Sequence, residues 1–273
     1  CIRDRLHMNE VQSEPILFRK KQNNIEIITM NNPKKLNALS NQMLSELQYT
    51  LDEISKDNSI KVVIIKGSGK VFCAGHDLKE MISSQTSDDD GKKSMIDLFS
   101  RCSRLMLSIR NMPQPVIAQV HGLATAAGCQ LVASCDMAVA GKQTKFGVNG
   151  VNIGLFCSTP MVALSRNIPR KLTFEMLTTG EFIDAKKACA IGLINRIASE
   201  EKLASETLKL AQVVSEKLSA VVKIGKEAFY NQLEMQVEEA YSYTGMVMAE
   251  NMGLKDTQEG ILAFLEKRTP KSK

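Results

Sequence analysis

The sequence predicts an α/β fold whose strand-helix units lead into a helical C-terminal region, and three observations point to it. Short apolar runs followed by amphipathic helical periodicity occur twice in the first half, at 62–65 and 116–120. Small-residue loops follow both runs. The last third is Met-rich and reads as helix with little interruption.

Taken in order, Ile16 to Arg19 and Ile25 to Ile28 alternate and are separated by the polar turn Gln22-Asn23-Asn24, so they form a hairpin. Ser40 is an N-cap for a helix whose Met43, Leu44, Leu47, Leu51 and Ile54 share one face. Val62-Val63-Ile64-Ile65 reads as a strand buried on both faces and closed by Gly67-Ser68-Gly69. Ser83 to Ser94, SSQTSDDDGKKS, is a polar segment unable to enter a core and is expected to be a mobile loop. Met95 to Met112 carries Ile96, Phe99, Leu105, Met106 and Ile109 at helical spacing; Pro113 and Pro115 end it before the strand Val116 to Val120. Met137 to Ala140 is a further strand, and Asp184 caps the helix over AKKACAIG. Helices are then expected over Ser199 to Leu218, Ala220 to Met252 and Asp256 to Arg268, as a cover for the first units or an oligomer contact.

Composition removes several classes of function. The 273 residues are 44% hydrophobic and 24% charged, too apolar for a disordered chain, and contain no stretch near the ~20 apolar residues of a membrane span. A net charge of +5, spread along the chain and not interleaved with aromatics, excludes a nucleic-acid stripe while tolerating an anionic ligand. Seven scattered cysteines, with no CxxC pair and no metal-ligand spacing to His7, His76 or His121, point to a reducing compartment and to no metal site.

Two loops stand apart: Phe72-Cys73-Ala74-Gly75-His76-Asp77-Leu78, and Gly122-Leu123-Ala124-Thr125-Ala126-Ala127-Gly128-Cys129-Gln130. Small residues between a buried strand and a helix let the backbone approach a ligand with free N–H groups pointing outward. Two such loops together can direct one N–H each at a developing oxyanion, as on a thioester carbonyl becoming an enolate. The same spacing also suits plain strand-helix turns.

The segments CAGHDL, VHGLATAAGCQLVASCDMAVA, KFGVNGVNIGLFCSTP, TGEFIDAKKACAIGLI and EGILAFLEKR resemble the signature regions of the enoyl-CoA hydratase/isomerase family, the crotonase superfamily, from about Ile16 to Thr269. The resemblance implies a crotonase (ClpP-like) spiral of ββα units over 15–200, after an N-terminal extension at 1–14, with a helical C-terminal trimerisation region at 201–273. It implies an acyl-CoA thioester as substrate or ligand, no other cofactor, no nucleic-acid partner, a homotrimer or dimer of trimers, and the mitochondrial matrix, with no presequence visible in this chain. Carried over by position, the oxyanion hole is the backbone N–H of His76 and of Ala127. Ala74, His76, Asp77, Leu78, Lys79 and Ala127 line the CoA side, and Phe264 and Lys267, on the last helix, sit near the CoA of their own or a neighbouring subunit.

Where the family places its two catalytic glutamates, this chain has Gln130 and Gly150. An amide has no titratable proton near neutral pH and glycine no side chain, so hydration is expected to be weak or absent. The position of the isomerase-type carboxylate holds Ser158, read as a helix cap, with no base to make it a nucleophile. Ala-Gly-His-Asp also resembles the family's decarboxylases of malonyl-type CoA, which need an enolate-holding pocket and no strong base, although their tyrosine position holds Cys157. A non-catalytic acyl-CoA-binding role is the other alternative. Of the remaining residues, Asp77 is read as a helix cap, Asp136 as fixing a turn, His121 as structural, Glu80 and Glu181 as solvated charges, and Met81, Leu123, Phe156 and Met161 as acyl-pocket lining.

Overall fold

The structure is a computed structural model and describes residues 14–84, 89 and 91–269. The expected N-terminal extension up to residue 13, and residues 85–88 and 90 of the polar segment, lie outside the described residues.

The hairpin forms as β1 (Leu17–Gln22) and β2 (Ile25–Met30), antiparallel, with Asn23 at a left-handed φ of 54° that its short polar side chain tolerates. Then come α1 (Asn41–Lys56), β3 (Val62–Gly67), α2 (Leu78–Ser83), α3 (Lys92–Asn111), β4 (Val116–Val120), β5 (Leu123–Thr125), α4 (Ala127–Ser134), β6 (Met137–Gly141) and β7 (Lys145–Gly147). A 3-10 turn at Asn149–Ile153 leads to α5 (Ser158–Asn167), α6 (Arg170–Thr179), β8 (Ile183–Asp184), α7 (Ala185–Ala190) and β9 (Arg196–Ala198). Four helices close the chain: α8 (Leu203–Ser215), α9 (Ser219–Gln232), α10 (Val237–Met252) and α11 (Lys255–Leu265). The Ser40 and Asp184 caps form as expected: Ser40 Oγ accepts Met43 N–H at 3.2 Å, and Asp184 Oδ1 accepts Lys187 N–H at 2.7 Å.

Strand order is β1-β2-β3-β4-β6-β9 in one sheet and β5-β7-β8 in a second. The pairs β4-β5 and β6-β7 each send one strand to either sheet and are followed by a helix, which is the ββα spiral. The continuous apolar run of β3 is explained by helices on both faces. Val63 and Ile65 join the core under α1, α3 and α4, whereas Val62 and Ile64 pack with Leu203, Leu210 and Ala211 of α8. Thus α8, within the segment expected as a helical tail, covers the sheet.

The structure corrects three expectations about elements. Of the polar segment, Ser83 belongs to α2 and Lys92 to Ser94 to α3, so both its ends are helical. The helix expected over Ala220 to Met252 is broken between Gln232 and Val237, where the Arg110 guanidinium takes the last-turn carbonyl of Tyr230 at 2.9 Å and Glu234 at 3.3 Å. Asp136 does far more than fix a turn. Its Oδ2 accepts Val116 N–H at 2.6 Å and Lys226 Nζ at 2.7 Å, and Oδ1 accepts the Tyr230 hydroxyl at 2.8 Å. Lys226 Nζ also donates to the Ile109 and Gln114 carbonyls, so all three ammonium protons have acceptors in a buried setting.

Candidate active site

The two small-residue loops meet. Cys73 pairs with Ala124 as an isolated parallel bridge, with Cys73 N–H on Leu123 O at 3.2 Å and Thr125 N–H on Cys73 O at 3.1 Å. Gly75 has φ +90°, and a Cβ there would lie 3.0 Å from Ala126 Cβ, 3.1 Å from Thr125 O and 3.3 Å from Ala127 N. Gly128 packs tighter still, since its Cβ would fall 2.3 Å from Cys73 O. Glycine is therefore required at both contact points. Ala126 occupies φ 49°, ψ −120°, a costly conformation for a residue with a Cβ, and is the N-cap of α4 without any side-chain cap.

Two backbone donors are left over at this junction. The Leu39–His76 bridge uses Gly75 O, which accepts Leu39 N–H at 2.7 Å, and the His76 N–H has no acceptor among the described residues. The Ala127 N–H, at the first position of α4, likewise has none. Thr125 Oγ1 donates to Asn149 Oδ1 at 2.6 Å, which ties the second loop to the Asn149–Gly150 segment.

The His76 ring turns inward. Nδ1 lies 3.3 Å from Leu39 O, the ring edge meets Phe99 at 5.6 Å, and Nε2 is buried without a partner. A carbonyl only accepts, so Nδ1 carries the proton of a neutral imidazole, and burial holds the pKa below its ordinary value. Asp77 caps α2 as expected, its Oδ1 accepting Lys79 and Glu80 N–H, while Oδ2 pairs with Lys35 at 2.9 Å. The hydrogen bond from Lys35 is the main reason the Asp77 carboxyl lies below the ordinary range. Ala74 is half-buried and donates its N–H to Leu36 O, while Leu78 and Lys79 are exposed on the same rim. His121 is structural, with Nε2 at 3.0 Å from Gly69 O.

Gln130 is buried on α4 with Oε1 unpartnered, and Gly150 is buried where a Cβ would lie 2.2 Å from Leu155 O and 2.9 Å from Cys157 Sγ. There is no room for a side chain at 150 without moving backbone. Ser158 is not a cap: it is the first residue of α5, the N-cap is Cys157, and its Oγ reaches only Phe156 O at 3.4 Å. Burial pushes the Cys73 and Cys129 thiols up to about 12, which leaves them protonated and inert. Glu80 accepts Asn41 N–H at 2.8 Å and, with Leu39, Asp77, Met95, Leu98 and Arg101, borders a cavity of about 440 Å³ beside the first loop. Glu181 is exposed; Phe156 and Met161 are partly exposed, and Met81 packs on the core. Phe264 is on α11 and 82% exposed, and Lys267 lies past the helix end with φ 51°.

Sequence reasoning missed Asn37. Fully buried at φ 51°, it donates from Nδ2 to Ser68 O and Val71 O and accepts Asn32 N–H, and so holds the entrance of the first loop. A polar residue between Leu36 and Ala38 was the only signal. The Lys35–Asp77 pair and the Thr125–Asn149 contact carry no sequence signal because they join distant segments.

The enoyl-CoA hydratase/isomerase profile matches residues 20–273. The chain belongs to the enoyl-CoA hydratase/isomerase family. It is 46% identical over 271 residues to human enoyl-CoA hydratase domain-containing protein 3, mitochondrial, covering 99% of this chain and 88% of that protein. The crystal structure of the human protein superposes with a TM-score of 0.90 at 46% identity, over 94% of this chain and 100% of that one. An enoyl-CoA hydratase from Mycobacterium smegmatis superposes with a TM-score of 0.91 at 47% identity, over 94% of this chain and 99% of the other. This family member therefore has the crotonase fold with a helical C-terminal region, and no described helix is long and apolar enough to cross a membrane.

Proposed function

We propose that this enoyl-CoA hydratase/isomerase family member binds an acyl-CoA thioester with its carbonyl oxygen between the N–H groups of His76 and Ala127, and hydrates enoyl thioesters weakly or not at all. The observation that carries the reading is the pair of unpaired backbone donors held together by Gly75 against Ala126 and Ala127. Preorganised donors stabilise a developing oxyanion without any side-chain chemistry, each contributing roughly 10²–10³ in rate in well-studied cases. At the positions where the family carries its carboxylates, nothing moves a proton. Gln130 has no titratable group, Gly150 has no side chain, and Ser158 lacks a base.

The decarboxylase alternative needs the His76 ring to face a departing carboxylate. Its Nδ1–H is directed at Leu39 O and its Nε2 is buried beside Phe99, which weighs against that role. Phe264 and Lys267, exposed at the end of the last helix, are assigned to the CoA of their own or a neighbouring subunit in a trimer or dimer of trimers. Names of relatives that include "mitochondrial" support placing the protein in mitochondria, and we assign it to the matrix and to fatty-acid metabolism.

Mass spectrometry of the protein incubated with enoyl, malonyl-type and saturated CoA thioesters tests the reading. We expect retention without mass change in the wild type, and a gain of water on the enoyl thioester once Gln130→Glu supplies a carboxylate. Rapid hydration by the wild type overturns the argument from Gln130 and Gly150. Loss of carbon dioxide from a malonyl-type thioester restores the decarboxylase.

A further inference from the structure

The peptide that carries the His76 N–H is held from two directions. Upstream, its loop is laid along residues 36–39: Ala74 N–H donates to Leu36 O at 3.1 Å, and Leu39 N–H donates to Gly75 O, on the same peptide, at 2.7 Å. Downstream, the chain passes directly into α2, and packing anchors α2 poorly. None of its six residues is buried, Leu78 and Ile82 are at least half exposed, and Met81 supplies its contact with the core. The cavity of about 440 Å³ bordered by Asp77 and Glu80 lies against it. A helix this short does not hold itself together in water.

Two carboxylates act where packing is missing. Asp77, just before the helix, pairs with Lys35 at 2.9 Å. Glu80, in the first turn, accepts the Asn41 N–H through Oε2 at 2.8 Å. Asn41 is the first residue of the 16-residue α1, and the Ser40 cap accepts Met43 N–H, so Glu80 satisfies a further donor that the helix cannot satisfy itself. Its negative charge also lies at the positive end of α1. That helix is a fixed reference, with Met43, Leu44, Leu47, Leu51 and Ile54 buried in the core. The Asn41 side chain extends the connection to α3, because its Oδ1 accepts from the Arg101 guanidinium, which Asp97 holds at 2.7 Å.

We propose that Glu80 is a positioning residue for the first oxyanion donor: by taking the first N–H of α1 it ties the start of α2 to the core and keeps the His76 N–H directed at the thioester oxygen. The inference rests on the oxyanion reading given above and names what holds that site in shape. It gives Glu80 no contact with the acyl group and no proton to transfer. Preorganised donors work only within about 0.5 Å of the productive geometry, and a helix released at its first turn carries the adjoining loop with it.

Calorimetry with butyryl-CoA and with S-butyl-CoA, the thioether that lacks the carbonyl, separates the donor from the rest of the site. The wild type is expected to bind the thioester more tightly. Glu80→Ala should cut that preference about five- to tenfold, through the thioester affinity alone. Glu80→Gln, whose amide oxygen still accepts the Asn41 N–H, should restore most of it. Asn41→Pro removes the N–H at a helix position that suits proline, and should reproduce the loss with Glu80 in place. A preference left intact in Glu80→Ala and Asn41→Pro, or a loss shared equally by thioester and thioether, overturns the inference while the oxyanion reading stands. No preference in the wild type overturns the oxyanion reading and this inference with it.

Discussion

Single atoms decide what the two loops tolerate. At Gly75 an added methyl meets both a left-handed φ of +90° and Ala126 Cβ at 3.0 Å, so Gly75→Ala should destabilise by roughly 1–3 kcal/mol and remove acyl-CoA retention, read by melting temperature and by calorimetry. Replacing the missing carboxylates is equally constrained: position 130 accepts an isosteric Glu, whereas any side chain at 150 drives a Cβ to 2.2 Å from Leu155 O. A gain of hydration is therefore expected from Gln130→Glu and not from Gly150→Glu, which should lower the melting temperature. The buried histidines set a pH dependence. Burial holds His76 and His121 below the ordinary 6.5, so the folded chain binds protons less readily than the unfolded one. Their contribution to stability is full above that value and is lost as pH falls through it toward the folded pKa. Melting temperature should drop as the solution is acidified through this window, and His76→Gln should flatten the drop. A profile that His76→Gln leaves unaltered would show the ring to be solvated. Asp77, held low by Lys35, adds a loss of the same sign only at more acid pH.

At the scale of elements, α9 is attached to the sheet by one polar cluster. Lys226, Asp136 and Tyr230 join it to β4 and to the turn before β6, and Arg110 sits over the Tyr230 ring at 5.1 Å. Removing one partner of a buried ion pair leaves the other uncompensated, so Lys226→Met should cost about 3–5 kcal/mol, and the double change with Asp136→Asn should cost less than the sum. Chemical denaturation of the four species measures the coupling, and limited proteolysis should show α9 released first. Additive effects would mean the cluster does not act as a unit. The sequence announced Asp136 only as a turn residue because its side-chain partners lie 90 and 94 positions away.

For the whole molecule, the unresolved demand is the apolar surface of the last helices. Tyr241, Met248, Phe264 and Leu265 are more than two-thirds exposed in the single chain, an apolar surface that the proposed trimer would cover. Light scattering should find a trimer or its dimer for the wild type. Tyr241→Glu with Met248→Glu should shift it toward monomer without loss of the sheet's circular dichroism signal. A monomeric wild type would confine Phe264 and Lys267 to the CoA of their own chain.

Local order was determined by the sequence itself. Period-two and helical apolar patterns, the Ser40, Asp77 and Asp184 caps and the prolines at 113 and 115 specify elements through neighbours a few residues away, and the two small-residue loops marked the site with their glycines. The tertiary structure decided everything that depends on what arrives from afar. It turned the His76 ring toward Leu39 and Phe99, filled the space at Gly150 with Leu155 O, set Asn37 and Lys35 behind the first loop, and placed α8 on the sheet. Steric exclusion and the pairing of buried polar groups are set by atoms brought together across the chain, and no local pattern records which atoms those will be.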